Sequence, residues 1–322
     1  MRHVEMVKGA RTLVDVCAGV RPGERVVVVT DTNKVLIAEV LVSLLVERGL
    51  DPIVLVMLPR QSHGQEPPQS VADAILNANV VFAPTTYSMS HSQARLAVCK
   101  SGGRFVSMPD YCEDMLVRGG LLADFVQQRE VVLKVAQTLT TARCARITTE
   151  KGTDLTLCLD GREGRDQSAI CTERGSFGSP PDIEAHIAPV EGTAEGVLVV
   201  DGSIPVPEVG VVREPVTLTV REGYIVNIEG GGEAESLKAL LDSTVDRNVF
   251  AVGEFGIGLN PEARFIGCML EDEGVFGTIH IGFGSNSTIG GRIRTVMHTD
   301  CVVKKPTVYL DGVTLIRDGH LV

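Results

Sequence analysis

The rhythm of apolar and polar positions changes near residue 140 of the chain. Before that point, short β-branched apolar runs alternate with stretches of helical spacing. Residues 25–30 (RVVVVT) form a continuous apolar run, the pattern of a parallel strand buried on both faces. A helical pattern follows over 34–48, and Gly49 ends it. The same reading predicts strands over 53–58, 80–83 and 104–107, with helices over 71–77 and 92–101. The Pro/Gly/Gln stretch 59–70 reads as a surface loop. Alternation of this kind implies an α/β, Rossmann-like domain over 1–140 with a doubly wound parallel sheet.

After residue 140 the apolar runs are short and separated by turn residues, predicting strands over 147–149, 154–159, 196–201, 216–220 and 224–229. Only 233–242 carries a clear helical pattern. The chain ends on a hairpin, 307–310 and 313–316, around the turn Asp311-Gly312. The expected second domain, 141–322, is a β-rich α+β unit, mostly antiparallel and partly closed as a barrel.

The first strand leads into Asp31-Thr32-Asn33-Lys34 rather than into a glycine-rich phosphate loop. A nucleotide site is therefore not supported, and Asp31 or Thr32 is expected to cap the next helix. Length and composition (322 residues, 44% hydrophobic, 22% charged) fit a globular protein of two domains. The net charge of −11, with both signs interspersed and no basic stripe, argues against nucleic acid as a partner. Charges interrupt every apolar run of the start, MRHVEMVKGARTLVDVC, and no apolar stretch approaches a bilayer span. The expectation is a cytoplasmic protein with no signal peptide and no membrane partner. Eight scattered cysteines without a C-x-x-C pair fit reduced thiols.

The candidate chemistry lies in the second half. In Met297-His298-Thr299-Asp300, residues two apart on a strand aim an imidazole and a carboxylate at one point. Glu184 (DIEAHIAP), Glu254 (VGEFGIGLNP) and His280 (GTIHIGFG) stand in similarly apolar or glycine-rich text. Buried ionisable groups are costly without partners. One divalent metal site built from Glu184, Glu254, His280, His298 and Asp300 would offset several such costs together. His186, two residues after Glu184, shares its face and is a further candidate. The run Glu271-Asp272-Glu273 either supplies a ligand or general base, with Glu271 and Glu273 as candidates, or forms a solvated turn. His91, in Ser90-His91-Ser92, sits at a helix start where the backbone dipole favours the neutral ring. It is a candidate base or substrate ligand, or a bystander beside a serine cap. On its strand Cys301 points away from His298 and Asp300.

The segments IEAHIAPVEGTAEGVLVVDGSI, GEFGIGLNP, GTIHIGFGSN, MHTD and the terminal hairpin resemble the aminopeptidase T metallopeptidases. They also resemble a related branch, the 2,5-dihydroxypyridine 5,6-dioxygenases of nicotinate degradation, and SHSQAR around His91 looks like that branch. The aminopeptidase resemblance implies a two-metal centre in which Glu184, Glu254, His280, His298 and Asp300 match five ligands, while Ser287 occupies the place of a ligating tyrosine. The dioxygenase resemblance implies one iron held by two histidines and an aspartate. Only His298 and Asp300 match that triad, because Glu254 stands where its first histidine falls. Retention of Glu184 and His280 makes the leading expectation a metal-dependent hydrolase with one or two zinc, manganese or cobalt ions. It would cleave an amide bond in a peptide or a small, even cyclic, substrate. His91 would reach over from the first domain to orient the substrate or move a proton. A non-haem Fe(II) ring-cleaving dioxygenase is the alternative, and a non-catalytic metal-binding protein the third reading. The resemblance also implies a homodimer.

Overall fold

The computed structural model describes residues 2–322; the leading methionine of the expected non-signal start lies outside them. Four strands, β1 (Val26–Asp31), β2 (Ile53–Met57), β3 (Val80–Thr85) and β4 (Arg104–Pro109), form a parallel sheet. A fifth short strand, β5 (Phe177–Gly178), joins it, and the order is β2-β1-β3-β4-β5. β1, β3 and β4 are buried along their whole length, which is why they read as unbroken apolar runs. β2 is an edge strand and is largely exposed. The helices Val35–Glu47, Gln69–Ile75 and Gln93–Lys100 fall within one to two residues of their predicted bounds.

Asp31 does not cap the helix that follows it. One carboxylate oxygen accepts from Asn33 N at 3.0 Å and from Thr86 Oγ1 at 3.0 Å, and the other from Thr86 N at 2.5 Å. The side chain thus ties the end of β1 to the end of its neighbour β3, and Thr86 is a partner that adjacency in the sheet supplies. The helix Arg2–Arg11 and the following π-helix Thr12–Cys17 bury Met6, Ala10, Leu13, Val14 and Cys17, an apolar stripe in a segment for which no element was predicted.

The chain divides into two compact units, one comprising residues up to 127 together with 168–182, the other 128–167 and 183–322. The boundary thus falls inside the helix Phe125–Thr141. Residues 168–182 return to the first unit, where β5 pairs with β4 and the Tyr111 hydroxyl donates to the Pro180 carbonyl.

The second unit holds two large antiparallel sheets and a short two-stranded one, Ser203–Ile204 with Gly210–Val211. An eight-stranded sheet runs from Tyr224–Glu229 at one edge to His320–Leu321 at the other and includes the terminal hairpin Thr307–Leu310/Val313–Arg317. A five-stranded sheet contains β6 (Glu184–Ile187), β7 (Val252–Gly258), β8 (Thr278–Gly284) and β9 (His298–Lys304), in the order β9-β8-β7-β6 with Arg165–Gln167 at the far edge. Both sheets are open, where the strand pattern predicted partial closure into a barrel. The strands are divided among separate sheets whose edge strands do not pair with one another. No helix among the described residues is long and apolar enough to cross a membrane.

Candidate metal centre

β6, β7 and β8 are buried on both faces, and β9 nearly so. One face carries Ala185, Ile187, Phe255, Ile257, Ile279, Ile281, Phe283 and Cys301, an ordinary apolar core. The register places Glu184 and His186 of β6, Glu254 of β7, His280 of β8 and His298 and Asp300 of β9 on the other face. Cys301 lies on the apolar side, as the two-residue period requires, and burial first, then Asp300, pushes its thiol well up.

Two backbone features make room for this cluster. Val252 pairs with Phe283 but Glu254 with Gly282, so Gly253 is an extra residue in the ladder. This bulge turns Glu254 to the polar face although Val252, two residues earlier, faces the core. Asn286, fully buried, holds the bulge: its Nδ2 donates to the Gly253 carbonyl at 3.1 Å and its Oδ1 accepts from Ile293 N at 2.8 Å. The second feature is glycine. Across the strands Glu184 faces Gly258, His186 and His280 both face Gly256, Glu254 and Asp300 both face Gly282, and His298 faces Gly284. A Cβ on Gly256 would lie 2.0 Å from His280 Nε2, and one on Gly282 would lie 2.7 Å from His298 Cε1 and 2.8 Å from Asp300 Oδ1. The glycine-rich text is therefore the space in which the ligand side chains lie.

The six groups touch one another. Glu184 Oε1 is 2.7 Å from His186 Nδ1, and Glu184 Oε2 is 3.1 Å from His280 Nε2. Glu254 Oε1 is 3.5 Å from His186 Nδ1, and Glu254 Oε2 is 3.1 Å from His298 Nε2. Asp300 Oδ1 is 3.2 Å from His298 Nε2. The other ring nitrogen of His298 donates to the Ser285 carbonyl at 2.8 Å, which directs Nε2 at the carboxylates. Glu184 Oε2 and His280 Nδ1 are buried without a hydrogen bond, since the 3.1 Å contact of Glu184 Oε2 is out of line for one. Carboxylate and imidazole atoms at these spacings match the roughly 3–3.5 Å between ligand atoms that metal bonds of about 2.0–2.2 Å require. The residues present fit a divalent ion.

Burial works against charge on Glu184, His186, His280, His298 and Asp300, and the opposite charges override it. Burial raises the Glu184 carboxyl, but His280 and His186 bring it down to about 2. Burial lowers His280, but Glu184, then Asp300 and Glu254, raise it to about 9. His298 is pushed well up by Asp300 and Glu254 against its own burial, and Asp300 is held well below the carboxylate range by His298. Metal-free protein therefore carries protonated imidazoles at neutral pH, and an entering ion must displace those protons. Two consequences are expected. Apparent metal affinity should rise with pH toward 9, with proton release seen by calorimetry in buffers of different ionisation enthalpy. Because the folded pKa of His280 lies above its ordinary 6.5, its contribution to metal-free stability is complete below 6.5 and lost as pH rises through about 9. A pH-independent affinity between 6.5 and 9 would contradict both.

The five ligands expected from sequence thus share one face of one sheet, and His186 joins them. The acid run is not a solvated turn: Glu271, Asp272 and Glu273 are all buried. Asp272 accepts from the backbone of Ile266 and Gly267, and Glu271 from Arg264 N at 3.2 Å, so both hold the preceding loop. Glu273 touches Asp300 and helps hold its carboxyl down. Ser287 is exposed. His91 is exposed directly before the helix Gln93–Lys100, whose cap is Ser92, accepting from Arg95 N at 3.2 Å. The Glu66 carboxylate accepts from Gln93 N and Ala94 N, a role for the surface loop that its composition did not reveal.

A sequence model of the 2,5-dihydroxypyridine 5,6-dioxygenase (NicX) family matches residues 5–322. The chain belongs to this family. The 2,5-dihydroxypyridine 5,6-dioxygenase of Pseudomonas putida is 27% identical over 250 residues, covering 74% of this chain and 69% of that protein. The solved structure of the 2,5-dihydroxypyridine dioxygenase from P. putida KT2440 superposes with a TM-score of 0.81 at 21% identity, covering 99% of this chain and 96% of the other. AmpT from Thermus thermophilus shares the fold with a TM-score of 0.72 at 16% identity, covering 99% of both chains. Of the two branches suggested by the motifs, the dioxygenase branch is the family, and with AmpT the chain shares the fold. That shifts the weight away from the hydrolase, which the retained Glu184 and His280 had favoured.

Proposed function

We propose that this protein is a metal-dependent ring-cleaving dioxygenase acting on a small hydroxylated heteroaromatic ring. The observation that carries this reading is the NicX family match over residues 5–322, and it is supported by the convergence of Glu254, His298 and Asp300. These three would hold the ion, a variant of the two-histidine, one-carboxylate arrangement that leaves positions open for substrate and oxygen. Ferrous iron, when bound, supplies the redox-active centre that ring cleavage by dioxygen needs. Within the chain, Ser285 fixes the ring orientation of His298, and burial of Glu254 and Asp300 keeps bulk water from the carboxylates. Two carboxylates offset the charge of a divalent ion. Glu273, in contact with Asp300, is the member of the acid run we assign to proton transfer.

A second reading, a two-ion amide hydrolase, is favoured by one observation. A second possible ligand group, Glu184, His186 and Glu254, shares Glu254 with the first. The deciding experiment is metal analysis of protein purified without added metal, followed by assays on dihydroxypyridines, small and cyclic amides and amino-acid anilides with and without oxygen. Oxygen-dependent turnover of a dihydroxypyridine by the Fe(II) form, lost on zinc substitution, is expected. Amide cleavage by the zinc form without oxygen, and no ring cleavage in any form, would overturn the proposal.

A further inference from the structure

His186 has no assigned role, and the ligand sets implied by either branch do not include it. We infer that His186 Nδ1 is a metal ligand, completing with Glu184 and Glu254 a second cation position beside that of Glu254, His298 and Asp300. This rests on the reading of the polar sheet face as a metal centre, but not on which reaction it performs.

The argument is geometric. The two oxygens of Glu254 are directed to different partners, Oε1 lying 3.5 Å from His186 Nδ1 and Oε2 lying 3.1 Å from His298 Nε2. One carboxylate therefore offers one oxygen to each of two positions. At the first position His298 and Asp300 complete the group; at the second, Glu184 and His186 do, all with ligand atoms within 4.8 Å of one another. His186 is 9% exposed and Glu184 4%, and Glu184 Oε1 lies 2.7 Å from His186 Nδ1, so an imidazole nitrogen and a carboxylate oxygen are held together out of water at this second position. The exposed Ser287 leaves the place of the aminopeptidase tyrosine without a good ligand, and Glu254 removes the imidazole of the dioxygenase triad. His186 supplies an imidazole at the second position from the adjacent strand, where it stands in register with Gly256 of β7.

The test is a Co(II) titration of metal-free protein followed by visible absorption, with no turnover needed. Wild-type protein is expected to bind two ions per chain. His186→Ala should bind one, with the spectrum of the remaining ion unchanged, and added imidazole should restore the second. His186→Gln, which keeps a hydrogen-bond donor toward Glu184, should show the same loss and carries the test if the alanine variant fails to fold. A merely orienting histidine would leave stoichiometry and spectrum unchanged in both variants, and that result overturns the inference while leaving the metal centre intact. Wild-type protein that binds no Co(II) would overturn the metal centre itself.

Discussion

Asp300→Ala is expected to abolish turnover and to strip the metal held with Glu254 and His298. The loss should exceed the roughly 10–100-fold fall that follows removal of a residue that only supports a ligand. The reason is that Asp300 does two jobs at once. Its buried carboxylate, a candidate metal ligand, lies 3.2 Å from His298 Nε2, and it is the largest source of the negative charge that keeps His298 protonated in the metal-free protein. Removing it leaves two potential donors, too few to hold a divalent ion in a site open to substrate. Metal content of the purified variant and its turnover are the measurements. Retention of a bound ion with more than about a tenth of wild-type turnover, a smaller loss than even the roughly 10–100-fold of a supporting residue, would exclude Asp300 from the ligand set. Because the substitution removes the metal whichever reaction is performed, it tests the site and not the chemistry.

How far the site was legible in the sequence depends on the range of the signal. The parallel strands and the terminal hairpin were readable because burial on both faces and the Asp311-Gly312 turn are local properties. His298 and Asp300 were readable for the same reason, as a two-residue period on one strand. The coming together of Glu184, Glu254 and His280 rests, in sequence, on their polar character in apolar text and on the aminopeptidase resemblance. Which face each would occupy depended on register, and for Glu254 on the bulge at Gly253. A strict two-residue count from Val252 would have turned Glu254 into the core. His186 carries a weak signal in sequence because its partner Glu254 comes from another strand. The acid run was ambiguous because its charges suggest solvent, whereas the backbone amides of Ile266 and Gly267, which satisfy Asp272, become available only when the loop folds over it. The return of residues 168–182 to the first unit was invisible, since β5 is two residues long and has no periodicity to read.

The glycines of the sheet were the least appreciated signal. Apolar strands with a glycine at every second or third position, such as GEFGIG and IGFG, would ordinarily be weak sheet formers. At Gly256 and Gly282 the space of the missing Cβ is filled by the imidazoles and carboxylates of His280, His298 and Asp300, while Gly253, Gly258 and Gly284 admit close backbone carbonyls. The pattern of glycine alternating with large apolar residues therefore marks a sheet with one packed face and one chemically occupied face.

Glu254→His separates the two readings of the reaction. The substitution places an imidazole where the dioxygenase branch has its first iron-binding histidine. That ring would join His298 and Asp300 in a set of two histidines and one carboxylate, in place of one histidine and two carboxylates. A ring-cleaving dioxygenase should tolerate this change: Fe(II)-dependent, oxygen-consuming turnover of a dihydroxypyridine is expected to stay within about tenfold of wild type, the energetic equivalent of about 1.4 kcal/mol. A two-ion hydrolase should not tolerate it, because the oxygen that Glu254 offers toward Glu184 and His186 is lost along with the one directed at His298. Amide cleavage would then vanish, and Co(II) stoichiometry should fall to one per chain whichever reaction is catalysed. The bulge supports the substitution sterically, since the side chain at this position is aimed from the backbone by Gly253 and Asn286 and faces Gly282 rather than a bulky neighbour. Oxygen uptake and ring-product formation by the Fe(II) form, measured beside wild type, decide the matter. Complete loss of ring cleavage with the iron still bound would show that Glu254 itself is required, and the assignment of a dioxygenase tolerant of either ligand would fall.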